Sequence, residues 1–337
     1  MDRTAGYPVH RPDRRVRGAR GWRVAALAGV VLAAGCATSS SKWVALRSTP
    51  KNPLTESLGL LTRQGPQPTP RTKQLLRRYD LDAQSADRGV LLARLDQIND
   101  VEPSREHLYS LAELAYIGAE RSARSQKHPD ALEMYGAAVL YAHEYLLDDR
   151  YAADNNPYDP QFRRACDLYN AALEGMLRSL QRQHPLRPGE VRELRTAGQT
   201  CRLRVELLSE GWRAEDFQRV EFVSDYEVHG LRNHYHNFGL GVPLIGVRGQ
   251  RPAADAREKF YPPQLSFPLT AFLRIPPADA ASGAVELASA EEAEGPPSTG
   301  VKEIVLELHD PLARSTIDVA GLRVPLETDL STPLAQR

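Results

Sequence analysis

The chain has 337 residues, of which 43 are Lys or Arg and 43 are Asp or Glu, so its formal net charge is zero. The first 35 residues hold seven of the basic and two of the acidic residues, which leaves a formal charge of −5 on the remainder. That balance excludes a general electrostatic attraction to nucleic acid, and we expect no nucleic-acid partner. About 300 residues beyond this leader are compatible with two domains.

The leader, residues 1–35, has the pattern of a secretory signal. An arginine-rich start precedes an apolar run from Val24 to Ala34. This run is too short to cross a bilayer, since a transmembrane helix needs about 20 apolar residues. Small residues surround the expected cleavage site between Gly35 and Cys36. One interpretation is therefore an ordinary signal peptide with a chance cysteine.

Ending such a leader on Gly35-Cys36 resembles the lipobox of bacterial lipoproteins, in which the cysteine is lipidated and becomes the new N-terminus. The chain departs from that pattern in one place: Ala33 stands where the family prefers leucine, and Leu32 lies one step earlier. The resemblance implies a membrane partner, held through a lipid on Cys36. Ala37 after the cysteine implies the outer membrane of a bacterial cell envelope.

Residues 36–68 are predicted to be a tether, because Ser, Thr and Pro are frequent there. From 69 to 215 the sequence predicts a domain of helical hairpins. Thr69-Pro70 and Asp159-Pro160 are typical helix starts, with a cap followed by proline at the first helical position. The apolar spacing predicts six helices, at about 70–79, 86–99, 105–127, 130–147, 160–183 and 189–209.

A repeated pattern lies within the helical region. The pattern consists of a small residue, an aromatic residue and a second small residue, and it occurs twice. The two copies are about 34 residues apart, which is the length of a tetratricopeptide repeat. The characteristic glycine and the closing proline of that repeat are missing. We therefore predict TPR-like antiparallel hairpins, which can receive a protein or peptide partner, with an ordinary helical bundle as the alternative. The two copies are Ala131-Tyr135-Ala138 and Ala165-Tyr169-Ala172.

Residues 217–328 are predicted to form a small β-rich domain, so the predicted fold class is α+β. Residues 291–300 are predicted to be an acidic surface loop, and residues 329–337 a linker toward a further domain. Alternating or β-branched runs predict strands at about 220–223, 265–275, 284–288 and 303–308, and a hairpin at 316–326.

Two cysteines remain if Cys36 carries lipid. Cys166 and Cys201 can pair in an oxidising envelope if the fold brings them together. The other interpretation is two separate buried thiols on helices. The sequence leaves both open.

A histidine-rich stretch is the most unusual part of the β-rich region. His229, His234 and His236 lie within eight residues, and imidazole is a common ligand of transition metals. No acidic residue or cysteine lies at a recognised ligand spacing, so we favour a polar surface around a turn over a metal site. The glycines of Gly239-Leu240-Gly241 predict a close approach of another segment to the backbone.

No motif of nucleophilic or metal-dependent catalysis occurs in the sequence. Gly-x-Ser-x-Gly, His-Glu-x-x-His and Cys-x-x-Cys are all absent. We therefore assign no catalytic residue and expect no cofactor.

Three blocks together resemble a known family: Arg71–Leu81, Phe238–Ile245 and Val324–Ala335. They resemble the N-terminal half of bacterial envelope lipoproteins that carry an esterase/lipase-like α/β-hydrolase domain at the C-terminus. In that family a Thr-Pro-Leu-Ala segment, here Thr332–Ala335, leads into the hydrolase. The resemblance implies an accessory region whose catalytic Ser, Asp and His lie outside this chain, so no catalytic residue carries over.

Three functional hypotheses follow from the sequence. The first is a lipid-anchored envelope protein that serves as the accessory region of such a hydrolase. The second is a stand-alone TPR-like interaction scaffold of the cell envelope. The third is a metal-binding protein that uses the His229, His234 and His236 stretch.

Overall fold

The computed structural model describes residues 43–81, 88–154, 156, 158–249, 260–262, 265–276, 301–319 and 321–336. Cys36, the whole leader, the predicted strand at 284–288 and the predicted acidic loop at 291–300 lie outside the described residues. The described part is α+β, as predicted, with helices mostly before a six-stranded sheet. Its helices are α1 (Pro70–Arg78), α2 (Arg88–Val101), α3 (Arg105–Arg124), α4 (His128–Leu147), α5 (Pro160–Gln183) and α6 (Ser331–Ala335).

The strands of the described residues form four separate sheets. The largest has six strands in the order β2-β3-β9-β8-β7-β4, in which β3 and β9 run parallel and all other neighbours run antiparallel. The pairs β1-β5, β6-β12 and β10-β11 form the three small sheets. The strands are β1 (Val44–Leu46), β2 (Val191–Thr196), β3 (Gln199–Leu208), β4 (Phe217–Phe222), β5 (Tyr226–Val228), β6 (His236–Asn237), β7 (Val242–Arg248), β8 (Ser266–Arg274), β9 (Lys302–His309), β10 (Thr316–Val319), β11 (Leu322–Pro325) and β12 (Thr328–Asp329).

Polar side chains cap the starts of three helices, and the sequence predicts two of these caps, Thr69 and Asp159. Thr69, Ser104 and Asp159 each accept a hydrogen bond from a backbone amide in the first turn of α1, α3 and α5. The start of α1 is held by a second group, because the buried carboxylate of Glu113 accepts the Thr69 amide at 2.6 Å and the Thr69 hydroxyl at 2.9 Å. This contact joins α1 to α3.

The predicted sixth helix, at 189–209, is wrong: this segment is the antiparallel β2-β3 hairpin. On β3 the side chains of Cys201, Leu203 and Val205 are buried, and the residues between them are exposed, which is the period of a strand. The turn is Ala197-Gly198, and both residues have positive φ, as a two-residue hairpin turn of type I′ requires.

The two copies of the small–aromatic–small pattern lie on consecutive helices. Ala131, Tyr135 and Ala138 are buried on α4, and the matching residues of the second copy are buried on α5. One tetratricopeptide repeat contains two helices, whereas the same displacement here advances the chain by a single helix. The pattern therefore marks the core-facing sides of two neighbouring helices.

The predicted helical and β-rich regions share one hydrophobic core, and residues from Trp43 to Arg337 form one compact unit. Tyr169 of α5 shows how the layers join. Its hydroxyl donates to the Leu273 carbonyl at 3.1 Å and accepts from the Leu273 amide at 3.0 Å. The helix is thereby bonded to the backbone of a strand in the middle of the sheet.

From Trp43 onward the predicted tether packs on the folded body. Leu54, Leu58 and Leu60 are buried in the main core. The side-chain Nδ2 of Asn52 donates to the Tyr116 hydroxyl at 2.7 Å, which joins this segment to α3. The tether prediction is therefore wrong for residues 43–68, because these leucines have a hydrophobic surface to cover.

Candidate functional site

Two of the blocks that carry the family resemblance meet in space. Strand β6 pairs with β12, so that His236 lies opposite Asp329. Beyond the strands, the Leu330 amide donates to the Tyr235 carbonyl at 2.9 Å, and the Tyr235 amide donates to the Ser331 hydroxyl at 2.7 Å. We call the region formed by residues 235–241 and 325–333 the C-terminal junction.

Glu327 lies at the centre of the C-terminal junction. Its carboxylate accepts the Gly239 amide at 2.6 Å and lies 3.0 Å from Nε2 of His236. Its backbone carbonyl accepts the Thr270 hydroxyl at 2.8 Å, which connects the junction to β8. The segment predicted to be a linker at 329–337 is instead fixed to the body, since Ser331, Thr332 and Pro333 are buried.

The two glycines of the Gly-Leu-Gly turn are required by close backbone approach, as predicted. A Cβ on Gly239 would lie 2.2 Å from the Pro325 carbonyl oxygen. Gly241 has φ of 113°, and a Cβ there would lie 2.7 Å from the Ala271 carbonyl oxygen. The Asn170 side chain of α5 holds both glycines, donating to the Gly239 carbonyl at 3.0 Å and accepting the Gly241 amide at 2.7 Å.

The three histidines are not gathered into a metal site. His236 faces Glu327, and its ring meets Phe238 edge-on at 4.6 Å. His229 donates its backbone amide to the Trp43 carbonyl, and His234 is exposed. No group of three or more His, Cys, Asp or Glu side chains within the described ranges is placed to hold a metal ion. The metal hypothesis therefore has no geometric support among these residues.

Three large apolar side chains of the C-terminal junction and of α6 are exposed. They are Tyr235 (62% exposed), Phe238 (66%) and Leu334 (55%). The guanidinium of Arg163 covers the Phe238 ring at 4.6 Å. Exposed aromatic groups of this kind are common where proteins contact each other.

The two described cysteines are free, so the structure does not contain the Cys166–Cys201 disulfide. Cys166 is buried on α5 and Cys201 is buried on β3, not on a helix as predicted. Burial raises the pKa of the Cys166 thiol to about 12, which keeps it protonated and unreactive.

Sequence reasoning missed a cavity of about 830 Å³ between α2, α4, and the adjoining ends of β8 and β9. His143 of α4 lines it and is 8% exposed, and its Nε2 has no hydrogen-bond partner among the described residues. Burial is the main cause that lowers the pKa of His143 to about 4, and the positive charges of Lys302 and Arg274 contribute to the same shift. The imidazole is therefore neutral near pH 7.

Carboxylates and cations line the same cavity. Burial raises the pKa of Glu144, whereas the hydrogen bond from Arg150 is the main cause that lowers the pKa of Asp148. No Ser, Thr or Cys is among the described residues that line the cavity, so a nucleophile with His143 as its base is not assembled there. The cavity can accept hydrogen bonds from a ligand but lacks the parts of a serine hydrolase site.

His143 was hidden in the sequence, because it follows the apolar run Ala137–Tyr141 and reads as part of a buried helix face. Within the described part of the chain, no helix combines the length and the apolar character needed to cross a bilayer. No known family model, curated protein or solved structure matched this chain when we compared it with them.

Proposed function

We propose that the chain is a lipid-anchored protein of the bacterial envelope and the accessory region of an α/β-hydrolase lipoprotein. Cys36 would carry the lipid, and residues 43–336 would form the folded accessory body. The support for the anchor is the arginine-rich leader with its short apolar run ending at Gly35-Cys36. Stable attachment needs more than one acyl chain, which the diacylglycerol and amide-linked chain of such lipoproteins supply.

The observation that carries the accessory role is the C-terminal junction. Two blocks that resemble the hydrolase lipoproteins are distant in sequence, one ending at Ile245 and the other starting at Val324, yet they pack against each other. The junction fixes the direction in which the backbone leaves at Gln336. A catalytic domain that followed would start from a fixed position on the body and could contact the exposed Phe238 and Leu334.

A catalytic role for these residues themselves has less support. The cavity around His143 lacks a nucleophile among its described lining residues, and the three histidines of the β-rich region are apart.

An interaction scaffold of TPR-like hairpins is the second candidate. Close helix approach favours it, because a Cβ on Gly118 of α3 would lie 2.6 Å from the Met134 sulfur of α4. The advance of only one helix between the two copies of the pattern opposes it. Tyr135 and Tyr169 are also buried, so a peptide does not have access to them.

The anchor is tested by Cys36→Ala in a bacterial envelope, with Ser39→Ala as the matched control. We expect Cys36→Ala to abolish incorporation of labelled fatty acid and to release the protein from membranes, while Ser39→Ala keeps both. Continued membrane attachment of unlabelled Cys36→Ala would overturn the anchor.

The accessory role is tested by reading the gene beyond codon 337 and assaying its product. We expect an open frame with Gly-x-Ser-x-Gly, and ester hydrolysis that weakens when residues 43–336 are removed. A stop codon directly after Arg337 would end the accessory proposal and would leave the anchor untouched.

A further inference from the structure

A basic cleft of about 620 Å³ lies beside the β10-β11 hairpin, where the parallel strands β3 and β9 end at Leu208 and His309. It is separate from the C-terminal junction and is lined by Leu208, Arg274, His309, Arg314, Thr316, Ile317, Asp318 and Arg323. Three arginines and one aspartate give this lining a formal charge of +2 with the histidine counted as neutral, and the Glu307 carboxylate that pairs with Arg274 reduces it to +1. The cleft therefore attracts anions, although the chain beyond its leader is mildly acidic.

Two of the arginines are available to a ligand. Arg314 and Arg323 are exposed, and neither forms an ion pair with another described residue. The hydroxyl of Thr316 accepts a hydrogen bond from Nε of Arg323 at 3.2 Å, which orients that guanidinium. Its two terminal nitrogens have no partner among the residues that the structure describes. Forked guanidinium groups of this kind bind phosphate and carboxylate oxygens in pairs.

Arg274 is held in place by a buried carboxylate. Its Nε donates to Glu307 at 2.5 Å and its Nη2 donates at 3.1 Å, so the pair is bidentate. Burial alone would raise the pKa of Glu307, but hydrogen bonds from His309 and Arg274 outweigh it and lower that pKa. The carboxylate therefore stays ionised and fixes both neighbours.

His309 is the second, independent pointer to a ligand. It is 2% exposed at the end of β9, and its Nε2 lies 2.9 Å from the Glu307 carboxylate. Because a carboxylate only accepts hydrogen bonds, this contact places the ring proton on Nε2 and leaves Nδ1 as the acceptor of the neutral ring. The other ring nitrogen, Nδ1, is buried without a hydrogen-bond partner among the described residues, which is costly unless a bound group supplies one.

We propose that this cleft binds a phosphate-type anion, either free phosphate or a phosphate monoester. Arg314 and Arg323 would contact its oxygens, and Nδ1 of His309 would exchange a hydrogen bond with it. Phosphate suits a single unpartnered ring nitrogen, because near neutral pH it presents both protonated and unprotonated oxygens.

The test is calorimetric titration of the purified full chain with inorganic phosphate, and in parallel with glycerol phosphate and with sulfate. Arg314→Gln and Arg323→Gln remove the two free cations, and Arg195→Gln is the matched control, since Arg195 is an exposed strand arginine outside the cleft. We expect each cleft variant to weaken phosphate binding about tenfold, or 1.4 kcal/mol, and the control to leave it unchanged. Tighter binding of glycerol phosphate than of phosphate would identify the monoester as the ligand class.

Nitrogen-15 NMR of the histidine rings supplies a second readout that needs no variant. Phosphate should move the Nδ1 resonance of His309 and leave the exposed His184 unmoved. The proposal is overturned if phosphate produces neither heat nor a His309 shift, or if Arg195→Gln weakens binding as much as the cleft variants do. If sulfate bound as tightly as phosphate and neither moved the His309 resonance, the binding would be unspecific electrostatic attraction. That result would also overturn the proposal.

Discussion

At the residue scale, His143 links the stability of the fold to pH. Burial, together with Lys302 and Arg274, lowers its pKa from the ordinary 6.5 to about 4, while Asp148 acts weakly in the opposite direction. The unfolded chain therefore takes up a proton on this imidazole at a higher pH than the folded chain does. Stability must fall as the pH drops from about 6.5 toward about 4, because the unfolded state then binds more protons.

Replacing His143 with leucine should remove this sensitivity. We expect the loss of unfolding free energy between pH 7 and pH 4.5 to be smaller in His143→Leu than in the wild type by about 2 kcal/mol. Urea unfolding at the two pH values measures the difference, and His184→Leu, at an exposed position, is the control. An unchanged pH dependence in His143→Leu would contradict the assignment.

The role of an individual site residue could be predicted from the sequence only where it depends on the local backbone conformation. The turn glycines at 239 and 241 could be predicted, since a Gly-x-Gly pattern indicates close approach whatever the partner. The histidines at 229, 234 and 236 could not, because spacing along the chain does not say which way an irregular loop turns each ring. Glu327 could not be predicted either, as its partners are about 90 residues away.

At the element scale, the contact between α5 and β8 depends on one hydroxyl. Tyr169 is fully buried and serves both the amide and the carbonyl of Leu273, which without it would lack that partner. Its ring also packs against Phe272 at 5.9 Å. The aromatic contact keeps the helix near the sheet, and the hydroxyl fixes its position along the strand.

Tyr169→Phe should therefore cost about 1–3 kcal/mol of unfolding free energy, because a buried backbone group loses its partner while the ring remains. Urea unfolding measures the cost, and Tyr158→Phe, at a position 93% exposed, is the control. Hydrogen exchange at the Leu273 amide should speed up in the same variant. A cost equal to that of the control would show that the hydroxyl is dispensable.

Helices were easier to predict than strands, for a physical reason. Thr69, Ser104 and Asp159 mark helix starts through local hydrogen bonds that the sequence displays directly. The β2-β3 hairpin was missed because Leu194, Leu203 and Val205 are mixed with Arg and Glu in an order that also suits an amphipathic helix. The hairpin differs from a helix at its turn, where Ala197 and Gly198 both have positive φ. Gly198 was the only residue of that turn whose type indicated such a conformation.

At the scale of the whole molecule, the helical layer and the large sheet are not independent. Buried residues of α3, α4 and α5 belong to the same hydrophobic core as those of β3, β7, β8 and β9. The sequence suggested two domains because helices and strands are segregated along it. Segregation in sequence does not separate the layers in space, since each needs the other to cover its apolar face.

The folded body should consequently unfold in one step. We expect helix loss, measured by far-ultraviolet circular dichroism, to coincide in urea with loss of tertiary packing around Trp212, which stacks on Phe267 at 4.1 Å. Near-ultraviolet circular dichroism reports that packing. Two transitions with clearly different midpoints would contradict a shared core.

The parallel pairing of β3 and β9 imposes an order in time. Cys201 lies opposite Lys302, so about 100 residues must follow β3 before its neighbour exists. Until then the hairpin presents an open edge along β3. Closing so long a loop is entropically costly and makes the centre of the sheet a late event. During synthesis, therefore, the helices α1 to α5 can form before the sheet can be completed.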